Sequence, residues 1–209
     1  MYYTMEGHVK KIELSDIVGK IASGTVISRV ECKNTREKIG EIGILPLRSI
    51  TNGVIDDNEV QNIDISKPVK QDKLTCSGDI IVKLNQPYDS ARVGMEHAGV
   101  MFPSFCCVLR DIDYDQVDQG YLVAYLNSDF VKQYLKAANR ASAASLLKIG
   151  DIKKLPIVLP PLEQQKLIGE IYEICCKRQV ILSKMMKNEM ELVEHMVMDA
   201  VREGFKDEK

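Results

Sequence analysis

From Leu162 to about Arg202 the sequence contains no proline, and only Gly169 interrupts a run rich in Leu, Met, Glu, Lys and Gln. Those side chains lose little freedom on entering a helix, so the run predicts one long helix. Pro156, Pro160 and Pro161 stand just before it, where proline bars the preceding residue from helical geometry and suits a helix start. Along the run Leu167, Ile171, Ile174, Ile181, Met185, Leu192 and Met196 recur at steps of three, four and seven, a heptad-like seam. Val180, Leu182, Val193, Val197 and Val201 widen it. About 40 residues at 1.5 Å each make a helix roughly 60 Å long, too long to lie entirely on a globular region whose radius is under about 20 Å. The seam therefore calls for another helix. Arg178 and Asn188 fall on it, where polar residues lower stability but fix register and orientation. A helix folded back on its own domain is the alternative.

Residues 1–161 read differently. Short β-branched runs broken by Gly, Asn, Asp and Ser predict strands at Ile42–Leu47, Asp79–Leu84 and Phe105–Arg110. Leu122, Tyr125, Leu126, Val131, Tyr134 and Leu135 predict a helix over Gly120–Ala138, with Asn127-Ser128-Asp129 as a break and recap. Ser15–Ile21 is a shorter helix candidate. The fold class is α+β, a domain with a mixed or antiparallel sheet and helices over 1–161 followed by the long coiled-coil helix over 162–209. Hydrophobic residues make up 45% and charged residues 28% of the 209, enough to bury a core. No apolar run reaches the roughly 20 residues of a membrane helix, and the N-terminus lacks the features of a secretory signal. A cytoplasmic protein that does not span a membrane is expected.

Cys32, Cys76, Cys106, Cys107, Cys175 and Cys176 show no C-x-x-C spacing, and His8, His97 and His195 share no ligand spacing with them. Buried reduced thiols are expected, with no metal. The net charge is -2. The helix over 162–202 has seven acids and six bases and the tail 203–209 three and two, leaving 20 of each in residues 1–161. A neutral domain can hide a basic face.

The search for chemistry yields one lookalike. Asn85-Gln86-Pro87-Tyr88, closing a predicted strand, looks like the Asn-Pro-Pro-Tyr motif of amino-group DNA methyltransferases, in which Asn accepts from the target amine and Tyr stacks on a flipped base. Gln86 replaces a proline, and no Gly-x-Gly is present for a cofactor loop. Nucleophile elbows and phosphate loops are absent too. Asp56-Asp57 and the series Asp111, Asp113, Asp115, Asp118 read as turns rather than acid/base pairs. No catalytic residue is assigned.

The junction Ser145-Leu146-Leu147-Lys148-Ile149-Gly150-Asp151-Ile152-Lys153-Lys154-Leu155-Pro156-Ile157-Val158-Leu159-Pro160-Pro161-Leu162-Glu163-Gln164-Gln165-Lys166-Leu167-Ile168 resembles the specificity subunit of type I restriction-modification systems. That family joins each target-recognition domain to a helix through a segment reading approximately leucine-pro-leucine, Pro-Pro-Leu, then Glu-Gln and an isoleucine. Further matches fall in order at Lys11–Ile17 with Ser23-Gly24, at Leu47–Gly53 with Ile55, at Ser77–Ile81, and at Tyr121-Leu122 with Tyr125–Ser128. A full specificity subunit has two such domains and two helices, and this chain has one of each.

The resemblance implies a half-subunit without catalysis or cofactor of its own. It would bind double-stranded DNA and dock modification subunits, with a restriction subunit possible, and so direct adenine methylation and cleavage to a bipartite site. It implies antiparallel pairing of the helix, here with a second copy through Leu167, Ile171, Ile174, Arg178, Ile181, Met185, Asn188, Leu192 and Met196, giving a two-fold dimer. Two copies would read identical half-sites separated by about one turn of DNA, 34 Å or so. Base readout wants Arg, Lys, Asn, Gln or Ser on loops. Arg48, Lys83, Asn85, Gln86 and Arg92 lie at or just beyond predicted strands, and Asn139, Arg140 and Ser142 follow the second helix. An adaptor that no longer reads DNA and acts through its coiled coil is the second reading, and a methyltransferase fragment the third.

Overall fold

Ile80, Ile81 and Val82 are each 1% exposed or less, a continuous buried run that only a strand covered on both faces can carry. The computed structural model describes residues 9–140 and 146–204. Its elements are β1 (Lys10–Glu13), β2 (Val18–Ser23), β3 (Gly40–Ile44), β4 (Ile50–Thr51), β5 (Val54–Ile55), β6 (Gln61–Ile65), β7 (Ile80–Lys83), β8 (Ser90–Arg92), β9 (Cys106–Ile112), α1 (Gln119–Leu126), α2 (Asp129–Arg140), α3 (Ile149–Lys153), β10 (Pro156–Leu159) and α4 (Leu162–Gly204). The central sheet has the order β2-β9-β7-β8, and the pairs β1-β10, β3-β6 and β4-β5 stand beside it. Among the described residues every ladder is antiparallel and parallel pairing occurs only as isolated bridges, such as Gly53 with Ala91.

The sheet separates two apolar clusters. On one face Ile80, Val82, Cys107 and Leu109 pack with Leu122 and Leu126 of α1, Val131 and Leu135 of α2, and Ile157 and Leu159 of β10. On the other, Ile81, Cys106 and Val108 pack with Leu45, Ile50, Ile55 and Phe102. Adjacent residues on a strand face opposite ways, which is why Cys106 and Cys107 sit in different clusters. Both are buried, as is Cys176, but Cys76 and Cys175 are exposed and Cys32 is half-buried; none of the six is in a disulfide. The expectation of buried thiols thus fails at Cys76 and Cys175, which stand on a turn and on α4 where no core reaches them.

Two expected elements change. The helix sought over Ser15–Ile21 is a 3-10 turn, Leu14–Asp16, leading into β2; Val18 and Ile21 are β-branched and pair with Ile112 and Leu109 of β9. The helix over Gly120–Ala138 breaks into α1 and α2 where a break and recap was expected, at Asn127, whose Nδ2 donates to Val123 O and Ser90 O. The strand expected over Ile42–Leu47 stops at Ile44, two residues before Pro46. Asp118 of the acidic series is the N-cap of α1, accepting from Tyr121 N at 2.8 Å.

The chain divides into two units, residues 1–173 and 174–209. Within the first, the opening turns of α4 dock by Gln165, Ile168, Gly169 and Tyr172, with Ile168 and Tyr172 on the sheet-helix core. Gly169 is required there, since a Cβ would lie 2.5 Å from Asp118 Oδ1 and 2.7 Å from Tyr121 N. The second unit is helix through residue 204, and every residue from 181 to 203 is exposed. Among the described residues no helix is long and apolar enough to cross a membrane.

Candidate nucleic-acid interface

Strand β7 ends in a tight turn. Tyr88 N donates to Asn85 O at 2.9 Å, Tyr88 takes φ 62° and the Gln86-Pro87 bond is cis. The turn lifts Gln86 and Pro87 into solvent and leaves Asn85 half-buried. Tyr88 itself is 2% exposed and its hydroxyl accepts from Asn139 Nδ2 at 3.0 Å. A ring so enclosed cannot stack on a flipped base, so the methyltransferase lookalike fails at the residue that would do the stacking.

The turn is braced by a charge cluster. Asp89 Oδ1 lies 2.7 Å from Lys132 Nζ and its Oδ2 3.5 Å from Lys83 Nζ. The Asp89 side chain is 4% exposed and that of Lys83 9%, so each charge depends on the other. Lys132, on α2, also donates to Asn52 Oδ1 at 2.8 Å. Asn52 (φ 38°) and Gly53 (φ 91°) form the tip of the β4-β5 hairpin, where two successive positive φ angles suit Asn-Gly. Asn127 closes the frame by accepting from Ser90 N at 3.0 Å. Three sequence-distant pieces, the 85–88 turn, the hairpin tip and α2, thus meet at one end of the sheet.

Of the residues expected at the interface, Lys83, Asn85, Gln86 and Asn139 come together here. Lys83 points inward to Asp89, which leaves it no free surface for a phosphate. The side-chain oxygens of Asn85 and Asn139 are buried and unpaired among the described residues, acceptors for which a donor is wanted. Arg92 is exposed but pairs with Ile80, at the opposite end of β7. It lies close enough to Tyr114 to offset part of the upward push that burial gives the phenol. Arg48 is exposed and ion-paired with Glu59. Arg140 ends α2, and Ser142 lies outside the described residues. Asn52, Asp89 and Lys132 were not foreseen; the Asn-Gly pair was a turn signal, but nothing in the sequence linked it to Lys132.

The junction to α4 is held by polar contacts. Gln165, 1% exposed, accepts from Asp118 N at 2.9 Å and donates to Pro160 O at 2.8 Å and Gln116 O at 3.2 Å. Tyr121 donates to Val158 O, and Tyr125 donates to Pro156 O at 2.9 Å. Burial pushes the Tyr121 hydroxyl up to about 12. The helix seam lies on the other side: Leu167, Ile171, Ile174, Ile181, Met185, Leu192 and Met196 are all more than half exposed, and Arg178 and Asn188 are exposed among them.

A family model described as the type I restriction modification DNA specificity domain matches residues 7–192. The chain belongs to that family. Among solved structures, this specificity domain is similar to the HsdS subunit from Thermoanaerobacter tengcongensis, at 19% identity and a TM-score of 0.62, with 88% of this chain covered and 46% of that one. A structure described as the basis of complex assembly and conformational transition of the type I R-M system gives 19% identity, a TM-score of 0.63 and the same coverage. The type I S subunit from M. genitalium gives 13% identity and a TM-score of 0.53, with 86% of this chain and 42% of that one covered. The specificity domain thus has the fold of these subunits and spans a little under half their length. No curated protein matches the sequence.

Proposed function

We propose that the chain is the DNA-reading half-subunit of a type I restriction-modification assembly. Residues 1–161 would recognise one half of a bipartite double-stranded site, and the helix over 162–209 would serve as spacer, dimer element and docking post. The observation that carries the reading is the family match, which runs through both the recognition unit and the helix. The chain itself would catalyse nothing: modification subunits would supply the adenine methylation chemistry and its methyl donor, a restriction subunit the cleavage, all in the cytoplasm beside the host DNA. Gln86 and Asn85 on the braced turn and Asn139 near the end of α2 are the proposed readers, with the exposed Arg48 and Arg92 as candidates for phosphate contacts.

The exposed seam supports a homodimer, since a heptad stripe of this length exposed to water favours a second helix. Modification subunits have support of their own. Met186, Met190, Val193, Val197 and Val201 form a further exposed stripe rather than a widening of the seam, about 100° or more around the helix from the seam's centre at 100° per residue. A two-stranded coil would leave that stripe wet, and additional helices from docking subunits would cover it. The test is a long-read methylation map of host DNA with and without the gene. Loss of one methylated bipartite palindrome on deletion is expected, and a map unchanged in a host with an active system would overturn the reading.

A further inference from the structure

At the end of the sheet where β7 stops, a second turn stands beside the one bearing Gln86. Cys106 N donates to Pro103 O at 2.9 Å, closing a tight turn over residues 103–106, and Leu84 N donates to Phe105 O at 2.8 Å, which sets Phe105 level with the residue before Asn85. The segment leaving β2 clamps this turn from the other side. Gly24 N donates to Cys106 O at 3.0 Å, Thr25 N to Phe102 O at 2.9 Å and Ser104 N to Thr25 O at 2.8 Å. Gly24 runs so close that a Cβ would stand 2.0 Å from Pro103 O. Phe105 is nevertheless 45% exposed, whereas Phe102, three residues earlier, is 0%. A lone exposed apolar side chain is ordinary on a surface. One carried on a turn with so little freedom is held in a fixed position, as a contact residue needs to be. The surroundings favour an anionic partner. Lys83 and Lys132 share the single carboxylate of Asp89, which leaves one positive charge in that trio without a counter-charge. Leu147 N donates to Leu84 O at 2.9 Å, and the next residue, Lys148, is exposed. Asp113, Asp115 and Asp118 lie past the opposite end of β9.

We propose that Phe105 is a specificity residue of the half-site, its ring packing on the 5-methyl group of a thymine in the major groove, beside the bases met by Asn85 and Gln86. The proposal rests on the reading of residues 1–161 as a DNA-recognition domain and adds to it one base feature. A phenyl ring offers no hydrogen bond to a base edge, and the thymine methyl is the apolar group that base pairs display in the major groove. The amides of Asn85 and Gln86 suit an adenine edge, since Asn and Gln pair with its N6 and N7. Ring and amides side by side therefore match A·T pairs. A phenyl ring wedged between unstacked bases is the other way in which DNA takes an apolar side chain. Placement beside amide side chains, which read edges, favours the methyl contact.

The methylated motif from the map described above supplies the site. The experiment measures the affinity of the full chain, assembled with its modification subunits, for duplexes in which each thymine of one half-site is replaced in turn by uracil. That exchange removes the 5-methyl group and nothing else. Phe105→Ala and Phe105→Gln, assembled in the same way, are measured beside the parent chain, with melting temperatures to report folding. The parent should lose about four-fold in affinity at one thymine, the worth of one buried methyl-sized group. Both variants should bind the thymine and uracil duplexes equally at that position, with the effects of the other positions unchanged. A four-fold loss that persists in the variants would overturn the contact, as would a half-site without thymine or a parent indifferent to uracil throughout. Indifference is what a wedged ring predicts, because uracil stacks much as thymine does. Folded variants that bind neither duplex would overturn it as well, since one methyl contact cannot account for so large a loss. In each of these cases the DNA-recognition reading stands. It falls, and this proposal with it, only where deleting the gene leaves the methylation map unchanged.

Discussion

Gln165 carries an amide into a site only 1% exposed and satisfies it with three backbone partners drawn from the loop before α1 and from Pro160. Removing the side chain strands a buried N–H and two carbonyls, each expensive to leave unpaired. Gln165→Ala should therefore lose about 2–3 kcal/mol in urea unfolding, whereas Gln164→Ala, half-buried one position earlier, should stay within about 0.5 kcal/mol. The sequence showed two adjacent glutamines; only packing tells which is the anchor. Thiols divide the same way. Burial pushes the Cys106 thiol up to about 12 from 9.0 and raises Cys107 further, with no cation strong enough to reverse it. A maleimide should label Cys76 and Cys175 in the native protein and reach Cys106 and Cys107 only after unfolding. Because Cys106 holds its proton more tightly folded than unfolded, its effect on stability is nil below the unfolded value near 9. Stability then falls as pH rises from there toward 12, which a series of melting temperatures would show.

Among the elements, β7 was legible because a strand buried on both faces is a continuous apolar run bounded by turn residues. Strand β2 was misread because its apolar residues also fit a helical spacing, and only its pairing with β9 decides between them. The short hairpin β4-β5 was invisible as strands but announced its turn through Asn52-Gly53. What joins that hairpin to β7 and α2 is Asp89, and no local pattern marks a carboxylate as the partner of lysines at positions 83 and 132. Asp89→Asn would leave the Lys83 ammonium buried without its counter-charge. A loss of about 3 kcal/mol is expected, as for other broken buried pairs, measured by denaturant unfolding. An Asp56→Asn control at an exposed turn should cost under about 1 kcal/mol. The same frame sets the candidate interface, so the turn bearing Gln86 should gain hydrogen-exchange rate in Asp89→Asn before the sheet does.

At the scale of the molecule, an apolar stripe left bare along α4 is an association surface waiting for its complement. Ile181→Asp with Met185→Asp would bury charge in the centre of any two-stranded pairing, and the expected result is a monomer mass by light scattering with the thermal unfolding of the first unit unchanged. A mass identical to that of the parent chain would show that the seam is not the interface.

The sequence alone determined α4, because helix propensity, proline exclusion and a heptad period are local properties that need no tertiary partner. It also determined the family, through a junction whose Pro-Pro-Leu-Glu-Gln-Gln run is tied to α1 by a geometry that few residue types can meet. The tertiary structure decided which expected site residues share one surface. Lys83 and Arg92 are both near β7 in sequence, yet one is turned into an ion pair and the other lies at the far end of the strand. Loops take their positions from long-range contacts such as Lys132 to Asp89 and Asn139 to Tyr88, and those contacts leave no periodic trace in the chain.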